Sequence, residues 1–259
     1  MIDYCTILFN KSEHALLPLH LNSLRHYSKD LFNIKISVRP EDTESIEYCK
    51  QFDVEVLQHP VYTQQLSHPG LRQAGFDCAN RLDKLMQSCT SDWVFLAQLD
   101  IVWVGNAIKR IAPLMNDTCG MLGIWPHGCT VINRKVYNEC HHAFWPNGGW
   151  LGRVHSEHPN MMIQIIGNKE GGSQTWWKKH SNPNSQEKLI NIDGIDVGML
   201  LPIEMQGYGY TFDRAVPYEY HHIGGASFHG LTDCLGDENI KQGIIKKINH
   251  ALKKFKRFR

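Results

Sequence analysis

The run Trp93-Val94-Phe95-Leu96-Ala97-Gln98-Leu99 is apolar at every position but one. Side chains along a strand alternate between two faces, so a strand apolar on both belongs inside a sheet that is covered on both sides. The segments before it supply that sheet. Tyr4 to Phe9 is a short apolar run, read as a first buried strand. Leu16, Leu19, Leu24 and Tyr27 fall at roughly helical spacing within 15–27. Ile34, Ile36 and Val38 alternate as a second strand, and Arg39-Pro40-Glu41-Asp42 closes it as a turn. A helix capped by Thr43 or Ser45 runs to Phe52, and Val54, Val56 and Leu57 form a third strand. Residues 59–75, with His59-Pro60 and His68-Pro69-Gly70, read as irregular, and 76–88 as a helix. Alternating strands and helices of this kind predict a mainly parallel sheet with right-handed crossovers in a Rossmann-type α/β domain.

The second half is less regular. Strands are expected over 120–124 and 128–132, with a helix starting at Asn133. Residues 145–185 are rich in Gly, Asn, Trp, His and Ser, and a stretch of that length inside a domain is commonly functional. The 259 residues suffice for one large domain, and a net charge of +1 excludes nucleic acid as a partner suggested by bulk charge. None of the eight cysteines has Cys-x-x-Cys spacing, so free thiols in a reducing compartment are expected. The N-terminus lacks a secretory leader pattern, and no run of about 18 apolar residues occurs. A cytoplasmic location follows as the expectation, with at most peripheral contact on the inner face of a membrane.

That contact would come from residues 240–259. Ile244, Ile245, Ile248, Leu252 and Phe255 fall on one helical face, and lysines and arginines fill the remainder. A basic amphipathic helix of this type can lie on an anionic bilayer, or it can pack on the domain and leave its cations in water.

Three constellations carry chemistry. The first is Asp92-Trp93-Val94-Phe95-Leu96-Ala97-Gln98-Leu99-Asp100-Ile101, an apolar strand leading into Gln-x-Asp. The second is Asp196, followed eleven residues later by Gly207-Tyr208. The third is His222-Ile223-Gly224-Gly225-Ala226-Ser227. Their order and spacing resemble the GT-A glycosyltransferases, and most nearly the large inverting group called family 2. The resemblance covers residues 1–230 or so and implies a GT-A-like domain over 1–239. Residues 1–105 would be its nucleotide-sugar half, 106–239 its acceptor half, and 240–259 the basic helix.

The resemblance also implies roles. Asp196 is the general base that deprotonates the acceptor, with Asp193 as competitor; as a bare sequence feature it is equally a helix N-cap. Asp100 takes the metal-touching position of an Asp-x-Asp pattern whose first acid is here Gln98, which lowers the negative charge at the site. Mn²⁺ or Mg²⁺ is the implied cofactor, because hard cations take oxygen ligands. His222 is the second metal or phosphate ligand, with His221 and His229 as rivals. Adjacent histidines on a strand point to opposite faces, so at most one of the pair His221-His222 serves one site. Phe9, Asn10, Glu13, Asp42, Arg72, Asn80 and Gln98 fall where relatives hold the donor's nucleoside and diphosphate. Trp125, Trp145, Trp150, Trp176 and Trp177 are candidates for stacking on sugar faces.

The implied activity is transfer of a hexosyl or deoxyhexosyl group, with inversion, to a hydroxyl of a glycan or lipid-linked saccharide. The rival of a different class is a catalytically silent GT-A-fold protein that binds nucleotide sugars. A sugar-phosphate nucleotidyltransferase is disfavoured, since Asn10-Lys11-Ser12-Glu13-His14 lacks a glycine-rich loop. Neither a Gly-x-Ser-x-Gly elbow nor a His-Glu-x-x-His helix occurs.

Overall fold

A computed structural model describes residues 1–60, 73–123, 128–140, 197–198, 201–213, 218–224 and 238–258. Four strands, β1 (Ile2–Ile7), β2 (Phe32–Val38), β3 (Glu55–Gln58) and β4 (Trp93–Ala97), lie parallel. They alternate with α1 (Leu16–Ser28), α2 (Thr43–Cys49) and α3 (Gln73–Ser88). Then come β5 (Ile101–Trp103), β6 (Cys119–Leu122), β7 (Cys129–Asn133) and α4 (Arg134–Glu139). The remaining elements are α5 (Leu201–Gly207), β8 (Thr211–Asp213), β9 (Tyr220–His222) and α6 (Glu238–Lys254).

The main sheet has the order β3-β2-β1-β4-β7-β6-β8, and β5 pairs with β9 in a separate two-stranded sheet. Only β7 runs against its neighbours, so the expected mainly parallel α/β sheet is present. β4 stands fourth of seven, in the middle, as its two apolar faces require.

Period-two alternation sends side chains to two cores. Tyr4, Leu8, Phe95 and Ala97 join a cluster with Ile34, Ile36, Val38 and the leucines of α1. Cys5, Ile7, Phe9, Val94 and Leu96 join the other, under Leu82, Leu85 and Met86 of α3 and Leu201 and Met205 of α5. Helices therefore cover both faces.

Three local expectations shift. The β4 ladder stops at Ala97, two residues early, because the Gln98 N–H donates to Gly128 O at 2.7 Å and the chain turns through Leu99 and Asp100. The cap of α2 is Asp42 and neither Thr43 nor Ser45: its carboxylate accepts from the Ser45 N–H at 3.0 Å and from Ser45 Oγ at 2.7 Å. α3 begins at Gln73, ahead of residue 76. Seven of the eight cysteines lie among the described residues, and all seven are free thiols, as expected.

For the C-terminal helix the packed alternative is the one observed. Ile244, Ile248, Ala251, Phe255 and Phe258 are buried in the first core. Asn22 of α1 donates to Phe258 O at 3.0 Å, and Lys247 Nζ reaches Gly224 O at 3.3 Å. The apolar stripe is thus occupied by the domain, and the face left exposed is basic. Among the described residues no helix is long and apolar enough to cross a membrane.

Candidate functional site

The end of the central strand builds the site. After β4 the chain turns at Leu99-Asp100 and leaves as β5. β9 pairs antiparallel with β5, placing His222 opposite Ile101, and the Ile223 N–H donates to Asp100 O at 2.8 Å. This register brings together two residues roughly 120 positions apart in sequence: His222 Nε2 lies 3.3 Å from Asp100 Oδ1. Asp100 is fully buried, while the His222 side chain keeps 29% exposure. Although so near, the two are not aligned for a hydrogen bond, and His222 Nε2 has no hydrogen-bond partner among the described residues.

Two ligand atoms held at right angles on one hard divalent ion, each about 2.1 Å away, would stand about 3 Å apart. The spacing and misalignment of this pair therefore suit shared coordination better than a proton bridge. The donor set, one carboxylate oxygen and one imidazole nitrogen, fits Mn²⁺ or Mg²⁺ if further oxygens come from a bound ligand. Among the described residues no group of three or more His, Cys, Asp and Glu side chains is placed to hold a metal. Gln98 sits half-buried two residues before Asp100.

The doublet behaves as strand geometry requires. The His221 ring turns to the other face and packs on Phe255, with ring centroids 5.3 Å apart. Burial, with Lys254, His250 and His222 nearby, lowers its pKa.

Behind Asp100 a buried network fixes the turn. Trp103 Nε1 donates to Tyr4 Oη at 3.0 Å, Tyr4 Oη stands 2.8 Å from His20 Nε2, and His20 Nδ1 stands 3.0 Å from Ile101 O. A carbonyl only accepts, so Nδ1 carries the imidazole proton and Nε2 accepts from the tyrosine. Every hydrogen bond then runs one way, from β5 through β1 and α1 back to β5. Burial pushes His20 down to about 4, against the smaller opposing pull of its bond to Ile101 O and of Asp100.

A stability prediction follows. Below pH 6.5 the unfolded chain protonates His20, whereas the native chain resists until about pH 4. Native stability should therefore fall as pH drops through that window, by about 3 kcal/mol from this residue alone. Urea midpoints at pH 7, 6 and 5 check it. A His20→Gln chain should start less stable and show a flatter acid limb; an unchanged slope would refute the assignment.

The strand-one exit holds the donor-side candidates. Phe9 is buried, and its ring lies 5.1 Å from the Arg81 guanidinium carbon. Glu13 is buried and its Oε2 accepts from the Phe9 N–H at 2.7 Å. Asn10 caps the following turn through the Ser12 N–H, as Asp42 caps α2. These bonds shape the two loops at the carboxyl ends of β1 and β2, where open α/β sheets bind ligands. Asn80 is half-buried on α3. Arg72, Asp196, Asp193, His229 and all five candidate tryptophans lie outside the described residues.

Sequence reasoning passed over Arg81. It is wholly buried, donating from Nε to Ser37 Oγ at 2.9 Å and from Nη2 to Leu8 O at 3.0 Å and Ser37 O at 2.6 Å. Asp77, one helical turn earlier, pairs with it at 3.8 Å and with Arg39 at 3.2 Å. Burial lowers the guanidinium to about 10, with Asp77 opposing, so it stays charged at neutral pH. The available signal was a cation three and four positions from Cys78 and Leu85 in an apolar helical stripe.

No protein-family model matches the chain, and no curated protein matches it. Solved structures similar to it include mouse xyloside xylosyltransferase 1 in its apo form, at 9% identity and a TM-score of 0.42, covering 60% of this chain and 76% of that one. The galactosyltransferase LgtC with donor and acceptor sugar analogues matches at 11% identity and a TM-score of 0.38, covering 54% of this chain and 61% of that one. A Pyrobaculum calidifontis mannosyltransferase in complex with GDP-Man and Mn²⁺ matches at 12% identity and a TM-score of 0.40, covering 62% of this chain and 52% of that one.

Proposed function

We propose that this chain is a glycosyltransferase that uses a nucleotide-sugar donor and a divalent cation. The sugar, a hexose or deoxyhexose, passes to a hydroxyl of a glycan or lipid-linked saccharide. The observation that carries the reading is the Asp100–His222 pair, closed to 3.3 Å at the carboxyl end of the central strand. Asp100 and His222 would hold Mn²⁺ or Mg²⁺, which when bound offsets charge on the leaving diphosphate. The loops after β1 and β2, with Phe9, Asn10 and Asp42, would hold the nucleoside, and Gln98, Asn80 and Arg72 would approach the diphosphate. The His20 network keeps the Asp100 turn in place while the ligand exchanges. Asp196 is proposed as the base that takes the acceptor proton, giving inversion; its support is the sequence resemblance. A cytoplasmic site of action is part of the same reading.

A second reading is a nucleotide-sugar binding protein without turnover. Gln98 in place of an acid favours it, because the site then carries less charge to hold a metal.

Calorimetric titration of UDP-, GDP-, dTDP- and CMP-sugars with Mn²⁺ tests both, followed by an assay for hydrolysis or transfer. One donor should bind, and Asp100→Asn should weaken it by about tenfold or more, as loss of metal support does. EDTA should weaken the wild type as much and leave Asp100→Asn nearly unmoved. Equal affinity with and without EDTA would exclude the metal. Tight binding with no turnover on any acceptor would favour the silent protein.

A further inference from the structure

At the carboxyl edge of the sheet, Arg39 follows β2 and His59 follows β3. The two strands pair up to Val38 and Gln58, and the His59 N–H donates to Val38 O at 2.9 Å, so the two residues stand side by side. Both side chains are partly exposed. Among the described residues Arg39 uses few of its donors: Nη2 bonds Asp77 at 3.2 Å, and its buried Nε–H has no acceptor. A guanidinium carries five N–H groups, so this one is under-used in the free protein.

His59 also presents a donor. Ser37 Oγ already accepts from Arg81 Nε, and the acceptor placed for the serine's own proton is His59 Nδ1, at 2.9 Å. In the tautomer that satisfies the serine's proton, the imidazole N–H is Nε2, on the ring edge away from Ser37. Burial, with Arg81 and Lys84 adding to it, holds the ring neutral, at about 4. Among the described residues the carboxylate that pairs with Arg39 is Asp77, buried and held by two arginines, and Glu13 beside Arg81 is buried and accepts from the Phe9 N–H. Leu8 O and Ser37 O are engaged by Arg81. What Arg39 and His59 contribute to this partly exposed edge is therefore donors.

We propose that Arg39 and His59 read the base of the donor nucleotide and select a keto base, guanine or uracil, over an amino base, adenine or cytosine. This rests on the glycosyltransferase reading and deepens it. Guanine offers O6 and N7 as adjacent acceptors, and uracil offers O4, whereas adenine and cytosine turn an exocyclic NH₂ toward the same place. A donor facing that NH₂ leaves two buried hydrogens without acceptors, which is the costly arrangement. Phosphate oxygens share the acceptor chemistry, so the test must separate base from phosphate.

The test is calorimetry on the whole chain with Mn²⁺ and GDP, UDP, ADP, CDP or inorganic pyrophosphate. GDP or UDP should bind about tenfold or more tightly than ADP and CDP. Arg39→Lys keeps the charge and removes the fork, so it should erase that preference while pyrophosphate affinity stays within about twofold. His59→Ala should act in the same direction, with circular dichroism confirming that both variants are folded. Four diphosphates of equal affinity would overturn this inference and leave the glycosyltransferase reading intact. Variants that lose pyrophosphate as severely as GDP or UDP would overturn it too, by making the pair a phosphate clamp. If none of the four diphosphates binds, the parent reading fails and this one falls with it.

Discussion

Arg81→Met should destabilise the fold by about 3–5 kcal/mol, the usual consequence of removing one partner from a buried ion pair. In a domain of this size that corresponds to a fall in melting temperature of about 10 °C. Methionine fills much of the volume, so little of the loss is cavity. What is lost is a hub: Leu8 O, Ser37 O and Ser37 Oγ give up the guanidinium together, and Asp77 loses one of its two arginine partners. Arg81→Lys should recover part of the loss, since an ammonium restores charge without the planar fork. A double variant, Arg81→Met with Asp77→Asn, should lose less than the two single losses combined, because the second change removes the stranded charge. Thermal and urea unfolding measure all four chains. A single Arg81→Met loss below 1 kcal/mol would mean the guanidinium is solvated and the buried hub is wrong.

The largest effect on turnover is expected at Asp196. A general base contributes about 10²–10⁴-fold in rate, and Asp196→Asn keeps the size while removing the basicity. Transfer should drop by that factor, with donor affinity unchanged. Wild-type product, read by NMR at the anomeric carbon, should show inverted configuration. A near wild-type rate in the Asn variant would transfer the role to another acid. Glu204, the other acid of that region, is 2% exposed on α5, which leaves Asp193 as the better replacement.

Much of the fold was legible because apolar periodicity is a local signal. The two-sided pattern of 93–99 placed its strand, β4, in the centre, and alternation at Ile34, Ile36 and Val38 located β2. Asp100 and His222 were legible as motif positions, and strand alternation separates the two neighbouring histidines, His222 lying beside Asp100 and His221 packing on Phe255. Contacts between distant segments were not legible. His20 reads as one more residue of an amphipathic helix until β5 brings Ile101 O against it. Arg81 reads as a surface cation until β1 and β2 offer it two carbonyls. The cap of α2 was misplaced because Asp42, Thr43 and Ser45 are all good cap residues, and backbone geometry alone decides among them.

The three-residue pairing of β5 with β9 also bears on how the molecule is made. Asp100 belongs to the early half of the chain and His222 to its last quarter. The four parallel strands and their helices form from contacts within the first hundred residues, and domains begin folding from the N-terminus during synthesis. His222, the proposed second ligand, arrives only with β9, a long-range closure that carries a late loop-entropy cost. A nascent or truncated chain that stops short of Tyr220 has Asp100 and the parallel half of the sheet without the imidazole that stands beside it. On the proposed reading, metal binding would therefore wait for the strand that brings His222.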